Sequence, residues 1–218
     1  SLKAAFTAYA HQFTQASVRY SFAGSDMLAA QIEQGVRPEV FASANTSLPD
    51  LLYSKHLVSK PVTFAANELV IAVPAKSTRI RTLSDLERPG VTVAIGSASV
   101  PIGSYTREVL ARLQPTSRAR IIANVRSQEP DVSGIVGKLT QGAVDAGFTY
   151  ITDVQTTRGA LKAIVLPSSL QPVVAYGVAI VKGAAHPAQA RAFLSGLLRG
   201  AGRADLMSAG FLPAPRNS

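Results

Sequence analysis

Hydrophobic and polar positions switch along the chain between a helical period and a strand period. Apolar residues spaced three and four apart predict eight helical segments: Leu2–Phe13, Asp26–Gln34, Ser47–Lys55, a short turn at Leu83–Glu87, Ile102–Leu113, Val132–Gln141, Pro187–Leu198 and Arg203–Ala209. Short apolar or alternating runs predict seven strands: Ser17–Phe22, Glu39–Ala44, Asn67–Pro74, Val91–Ile95, Ile121–Val125, Asp145–Tyr150 and Val173–Val181. This alternation is typical of an α/β protein with a largely parallel sheet.

The pattern restarts after Pro74, which indicates two α/β series rather than one. The long apolar strands around Val70 and Ala179 are the natural points for the chain to cross between them. We therefore predict a first lobe of residues 1–74 and 176–218, a second lobe of residues 75–175, and a ligand cleft between the lobes.

Composition narrows the class of protein. Of the 218 residues, 47% are hydrophobic and 16% are charged, which is globular composition, and no apolar run approaches the roughly 18–20 residues of a membrane span. The chain has no cysteine, so thiol catalysis, disulfides and cysteine-based metal sites are excluded, and its three histidines stand apart in sequence. We expect no directly coordinated metal cation. The chain opens directly on a helical pattern, so we expect that an upstream segment precedes it.

The net charge of +9 raises the question of an anionic partner. The arginines are spread singly or in loose pairs, without aromatic interleaving or a helix-turn-helix pattern. We therefore expect no nucleic-acid partner, and we interpret the excess charge as a solvated surface that helps to attract an anionic ligand.

Motifs for catalysis are missing from the chain. The run Gly96–Val100 resembles a nucleophile elbow, but Ala98 stands where the serine would be and Val100 stands where the second glycine would be. Phosphate-binding loops of the Walker and Gly-x-Gly-x-x-Gly types do not occur either. We predict that the protein is not an enzyme.

Several predicted helices are introduced by small, hydroxyl or acidic residues, at Ser1-Leu2, at Gly24-Ser25-Asp26 and at Glu129–Ser133. A helix N-terminus carries unpaired N–H donors and about half a positive charge, so converging helix ends make an oxyanion site. Taken singly, Ser25 and Asp131 are equally consistent with ordinary helix caps.

Seven segments follow one another in a recognisable order: Ser1–Phe6, Ser21–Gly35, Pro38–Ala44, Asn67–Pro74, Val100–Leu110, Asp145–Asp153 and Val173–Ile180. In order and spacing they resemble the molybdate-binding proteins of ABC uptake systems, and the resemblance runs from Ser1 to about Pro213. The resemblance implies a two-lobed periplasmic-binding-protein fold of the class II type, in which each lobe is a mostly parallel sheet flanked by helices.

The same resemblance implies the ligand and its contacts. The protein would bind a tetrahedral oxyanion, molybdate and also tungstate, through the hydroxyls of Ser1, Ser25 and Tyr176. Backbone or turn donors around Glu129, Asp153 and Val154 would complete the set. Two positions depart from the family pattern, Asp26 and the segment Glu129-Pro130-Asp131, and we expect Asp26 and Asp131 to cap their helices.

The resemblance further implies a monomeric, extracytoplasmic protein, either periplasmic or anchored as a lipoprotein, that works with the membrane permease of an ABC importer and needs no cofactor. Two alternatives remain open. One is a protein for sulfate or another oxyanion, and the other is the ligand-sensing effector domain of a transcription regulator.

Overall fold

A computed structural model describes residues 1–215. Within this range the α-helices are α1 Lys3–Gln12, α2 Ser25–Glu33, α3 Ser47–Ser54, α4 Pro101–Ala111, α5 Pro115–Ala123, α6 Val132–Thr140, α7 Ile151–Thr156, α8 Pro187–Arg199 and α9 Ala201–Ser208. The strands are β1 Val40–Ser43, β2 Val62–Asn67, β3 Leu69–Pro74, β4 Val93–Gly96, β5 Val125–Glu129, β6 Ala146–Tyr150, β7 Leu161–Val165, β8 Val174–Ile180 and β9 Leu212–Pro213. A 3₁₀ helix spans Leu83–Glu87, as the sequence predicted.

The chain forms two compact units. The terminal unit contains residues 2–67 and 174–215, and the central unit contains residues 68–173 together with Ser1. The boundary therefore lies at residues 67 and 68 rather than at Pro74, because β3 pairs with β6 and β7 of the central unit. Residues 216–218 of the predicted first lobe lie outside the described residues.

The terminal unit is built on a four-stranded sheet in the order β1-β8-β2-β9. Helices α2 and α3 pack on it through a core that includes Ile32, Phe41, Leu52 and Ala179. Helices α1, α8 and α9 meet around an aromatic cluster. Tyr9 and Phe193 have ring centroids 4.7 Å apart, and the Tyr9 hydroxyl donates to the Phe193 carbonyl at 3.0 Å.

The central unit is built on a five-stranded sheet in the order β5-β4-β6-β3-β7. Strand β4 runs parallel to β5 and β6, whereas β3 runs antiparallel to β6 and β7. Strands β3, β4 and β6 are almost wholly buried, which explains their continuous apolar sequences.

The prediction of mostly parallel sheets is wrong. In the terminal unit β8 lies between β1 and β2, and every hydrogen-bonded strand pair of that sheet is antiparallel. In the central unit two of the four pairs are antiparallel. Strand direction depends on where the chain returns into the sheet, and the hydrophobic period carries no information about it.

Two predicted strands are also wrong. Residues 17–22 pair with no described strand. Tyr20 in this run is held instead by its side chain, whose hydroxyl donates to the Phe6 carbonyl at 2.6 Å. The run Ile121–Val125 divides between the end of α5 and the start of β5, because Pro115 at the first helical position starts a helix that includes Ile121. The sequence pattern also predicts neither helices α5 and α7 nor strands β2, β7 and β9.

Candidate oxyanion site

Ser25 opens helix α2 in the terminal unit. Gly24 occupies the N-cap position, so the interpretation of Ser25 as the cap residue is wrong. The Ser25 Oγ accepts a hydrogen bond from the backbone N–H of Ala44, which follows β1, at 3.2 Å. The first bond along the helix joins the Leu28 N–H to the Gly24 carbonyl, so the N–H groups of the first helical turn before Leu28 point beyond the helix end.

The turn after β1 brings a second helix end to the same region. Asn45 Oδ1 accepts from the Ser43 hydroxyl at 2.8 Å and from the Leu48 N–H, in the first turn of α3, at 3.2 Å. The Asn45 carbonyl accepts from the Gly177 N–H at 3.2 Å. Since Asn45 follows Ala44 and Gly177 follows Tyr176, these bonds join the Ser25 region to the Tyr176 region within one unit.

Tyr176 lies on β8 and is fully buried. Its phenolic oxygen accepts a hydrogen bond from Asn67 Nδ2, at the end of β2, at 3.2 Å. Phe64 and Phe211 meet its ring edge to face, with centroids 6.2 and 5.3 Å away. In this bond the Tyr176 oxygen is the acceptor, and its O–H is a separate donor.

Asp153 lies in the first turn of α7 in the central unit and is buried. Its Oδ2 accepts from the Tyr150 N–H at 3.4 Å, and its Oδ1 lies 3.5 Å from the Ser1 nitrogen. Burial raises the pKa of the Asp153 carboxyl above its usual value, although the Ser1 amino group and the Tyr150 N–H act in the opposite direction. Val154 follows in the same turn and is also buried.

Glu129 ends strand β5 of the central unit. Its carbonyl accepts from the Ser97 N–H at 2.9 Å. Its carboxylate accepts from the Ser127 hydroxyl and lies 3.5 Å from Lys138 Nζ. The acidic group is thus held by a hydroxyl and an ammonium group of its own unit.

Asp131 caps helix α6, as predicted. Its carboxylate accepts from the N–H groups of Ser133 at 2.7 Å and Gly134 at 3.2 Å, so these two donors are occupied. Asp26 lies in the first turn of α2, where its charge favours the positive end of the helix dipole, but no capping bond of its side chain is described. The prediction that Asp26 caps α2 is wrong, because Gly24 holds the N-cap position and Asp26 is the second residue of the helix.

The chemistry of the terminal-unit group suits an anion. It combines two hydroxyls whose oxygens already accept from the protein with the N-terminal ends of α2 and α3. Neutral donors at helix ends stabilise an anion without a counter-charge. Among residues 1–215 no group of three or more histidine, cysteine, aspartate or glutamate side chains is placed to hold a metal ion.

Residues 1–212 match the family model of the bacterial extracellular solute-binding proteins. The chain belongs to this family. This solute-binding protein is 35% identical over 217 residues to the molybdate-binding protein ModA of Mycobacterium tuberculosis, covering 97% of the chain and 81% of the relative. Among the helices of the described part of the chain, none has the length and apolar character needed to cross a membrane.

Solved structures confirm the fold class of the solute-binding protein. The periplasmic molybdate-binding protein of Azotobacter vinelandii matches 98% of the chain and 96% of its own, with a TM-score of 0.87 and 21% identity. The sulfate-binding protein SubI of Mycobacterium tuberculosis matches 98% of the chain and 84% of its own, with a TM-score of 0.86 and 16% identity. At these identities the likeness concerns the fold alone, and proteins named for two different oxyanions share it.

Sequence reasoning missed the residues that hold the two hydroxyls in the solute-binding protein. Ala44 and Asn45 follow directly after β1, and Asn67 ends β2. Small and amide residues at the ends of buried strands are the signal that would have indicated them, because such positions present polar groups at a sheet edge.

Proposed function

We propose that this solute-binding protein binds molybdate, and also tungstate, and delivers the anion to the membrane permease of an ABC importer. The observation that carries the proposal is the 35% identity over 97% of the chain to a molybdate-binding protein. The protein acts outside the cytoplasm as a monomer, by binding and release without chemical change of its ligand.

The donors of the terminal unit are the Ser25 hydroxyl, the N–H groups of the first turn of α2, and the Tyr176 hydroxyl. The Ser25 oxygen accepts from the Ala44 N–H, so in this proposal the Ser25 proton is donated to the ligand. The Tyr176 hydroxyl is included because the family motif on β8 indicates it. A charge-assisted hydrogen bond is about twice as strong as a neutral one, so a few such donors hold a dianion.

The donors of the central unit are predicted to be Ser1 and backbone groups around Glu129, Asp153 and Val154. Because Asp131 occupies the N–H groups of Ser133 and Gly134, any donor from that turn comes from earlier in the chain. The buried Asp153 carboxylate does not contact the ligand in this proposal; it accepts from the Tyr150 N–H and the Ser1 nitrogen.

A site that offers only hydrogen-bond donors selects anions whose oxygens are all hydrogen-bond acceptors. Molybdate and tungstate carry no proton at neutral pH, whereas phosphate keeps at least one. The phosphate O–H would face a donor of the protein, and neither of these two donors would have an acceptor. Sulfate also carries no proton, so discrimination against sulfate falls to its smaller size.

The test is calorimetric titration of the chain with molybdate, tungstate, sulfate and phosphate. We expect sub-micromolar dissociation constants for molybdate and tungstate, weaker binding of sulfate, and no measurable binding of phosphate. Tight binding of sulfate or phosphate without binding of molybdate would assign the protein to another oxyanion. The absence of heat with all four anions would remove the transport function proposed here.

A further inference from the structure

Asn67 is a buried amide at the last position of strand β2, directly after three buried apolar residues, 64–66. A leucine of similar volume would fill such a position without the cost of taking an amide out of water. Buried polar side chains in folded proteins have hydrogen-bond partners. The partner of the Asn67 amide therefore indicates what an asparagine contributes at this position.

The register of the sheet places Asn67 beside Tyr176. Strand β2 runs antiparallel to β8, with Ala65 opposite Tyr176 and Asn67 opposite Val174. Residues that lie opposite each other share a face of the sheet, as do residues two apart on one strand. Asn67 and Tyr176 are thus diagonal neighbours on one face, at a separation of about 7–8 Å that long side chains can span. The bond of 3.2 Å from Asn67 Nδ2 to the Tyr176 oxygen closes this gap.

Two kinds of contact hold the Tyr176 side chain, and they act on different parts of it. Phe64 and Phe211 meet the ring edge to face, with centroids 6.2 and 5.3 Å away. These contacts restrain the ring but do not set the hydrogen-bonding role of its oxygen. The Asn67 amide nitrogen is only a donor, so the Tyr176 oxygen accepts in this bond, and the phenol O–H is a donor separate from it.

We propose that Asn67 is a positioning residue of the oxyanion site and acts on the ligand through Tyr176. The inference rests on the proposed function, in which the Tyr176 hydroxyl donates to the anion. Asn67 fixes the place of the phenol oxygen and uses it as an acceptor, so that the phenol proton is directed to the ligand. The same bond strengthens the O–H as a donor, because consecutive hydrogen bonds polarise one another.

An amide suits this role, whereas the side chains of similar size do not. An ionised carboxylate only accepts, so it would bond to the Tyr176 proton itself, and its charge would repel a dianion. Leucine would keep the volume and donate nothing. Substitution of Asn67 by leucine and by aspartate therefore separates the packing of this side chain from its hydrogen bond.

The experiment is a double-mutant cycle on molybdate affinity, measured by calorimetric titration of the parent chain, N67L, Y176F and N67L/Y176F. Y176F removes a charge-assisted bond to the ligand and should lower affinity roughly 10- to 150-fold. N67L removes one neutral hydrogen bond and should lower affinity about fivefold. If Asn67 acts through the Tyr176 O–H, N67L should change the affinity of the Y176F protein less than about twofold. Equal losses from N67L in both backgrounds would overturn the proposal.

The variant N67D gives a second measurement, which does not depend on the folding of N67L. At about pH 8.5, where the introduced carboxylate is ionised, N67D should bind molybdate more weakly than N67L does. Burial raises the pKa of a carboxyl group, and once protonated the group donates to the Tyr176 oxygen again. The affinity of N67D relative to the parent chain should therefore recover toward about pH 6. A loss that is unchanged between these pH values, or no loss at all, would overturn the proposal.

The matched control is N124D in the central unit. Asn124 is also buried, and its Nδ2 donates to the carbonyls of Leu86 and Arg88 at 2.7 and 2.9 Å. N124D removes the same kind of donor and adds the same charge, so it should lower stability but leave molybdate affinity within about twofold of the parent chain. Equal losses of affinity in N67D and N124D would overturn the assignment to Asn67.

The same titrations separate this inference from the function on which it rests. A parent chain that does not bind molybdate would overturn both. A parent chain that binds molybdate tightly, with independent effects of N67L and Y176F, would keep the proposed function and overturn the role of Asn67 alone.

Discussion

At two hydroxyl residues, Ser25 and Tyr176, a neighbouring group of the protein sets the hydrogen-bonding role of the oxygen. A hydroxyl both donates and accepts, and the choice depends on what the protein places beside it. The Ala44 N–H bonds to the Ser25 oxygen at 3.2 Å and Asn67 Nδ2 bonds to the Tyr176 oxygen at 3.2 Å, so in both bonds the hydroxyl oxygen is the acceptor. Such hydroxyls suit an anion that has only acceptor oxygens.

The first prediction concerns Ser25. In S25A the Ala44 N–H loses its acceptor, and stability should fall by about 0.5–1.5 kcal/mol. The lost charge-assisted bond to a bound dianion is worth about 1.5–3 kcal/mol, so affinity for molybdate should fall roughly 10- to 150-fold. Calorimetric titration and urea denaturation measure the two effects separately.

The conservative variant S25T and the matched variant S47A complete this test. S25T keeps a hydroxyl and should recover most of the affinity. Ser47 is the exposed first residue of α3, as Ser25 is the first residue of α2, so S47A should change affinity less than about twofold. An S25A protein that binds as tightly as the parent chain would remove Ser25 from the site.

Among the helices and strands, β4 and α4 approach closely because glycines without a Cβ atom lie at their contact. A Cβ atom on Gly103 of α4 would lie 1.8 Å from the Ser97 carbonyl oxygen and 2.6 Å from the Gly96 carbonyl oxygen. Both neighbours are backbone atoms that cannot move aside alone. The Arg107 guanidinium donates to the carbonyls of Gly96 and Gly103, at 3.0 Å each, and fastens the helix to the strand end.

The second prediction compares two glycines inside helices. G103A forces α4 away from β4, and overpacking of this kind costs about 1–3 kcal/mol of unfolding free energy. Outside the backbone of its own helix, Gly137 of α6 has no atom within 4 Å of its Cβ position, so G137A should stabilise by up to about 1 kcal/mol through helix propensity. Denaturation midpoints of the two variants should shift in opposite directions, and a shift in the same direction would contradict the close approach of β4 and α4.

For the whole molecule, two carboxylates of the central unit make stability depend on pH in opposite ways. Burial raises the pKa of Asp153. The N–H group of Arg81 lowers the pKa of Asp85, with further help from the Thr82 N–H and from Arg88, whose guanidinium lies 2.5 Å away. An aspartate in the unfolded chain has a pKa of about 4.

The third prediction is the pH dependence of stability. Because the folded state holds the Asp153 proton more tightly than the unfolded state does, stability falls as pH rises from about 4 through the raised pKa. D153N removes this titration. The unfolding free energy of D153N minus that of the parent chain should therefore rise across the same pH interval and be constant above it.

D85N serves as the control with the opposite sign. The folded state holds the Asp85 proton less tightly, so the stability that this carboxylate contributes is present above about pH 4 and is lost as pH falls through the lowered pKa. The difference between D85N and the parent chain should therefore change only on the acid side. Urea denaturation from pH 3 to pH 8 measures both variants, and identical profiles would contradict both assignments.

Local sequence is sufficient to specify the elements whose physical causes lie within one segment. Helix α6 begins at an aspartate cap and continues on a helical apolar period, and the buried strands β3 and β6 are apolar over their lengths. The family motifs predict Ser25 and Tyr176 as ligand residues, and the absence of catalytic motifs favours a binding function. These features depend on residues close in sequence, and their physical causes can be evaluated one segment at a time.

Tertiary structure alone decided the direction and partners of the strands. Strand β5 is polar because it lies at a sheet edge, and β8 is antiparallel to its neighbours because the chain returns between β1 and β2 after the whole central unit. The acceptor roles of the Ser25 and Tyr176 oxygens were hidden for the same reason. Their donors, Ala44 and Asn67, lie 19 and 109 residues away, and folding brings these pairs together through contacts that no local period records.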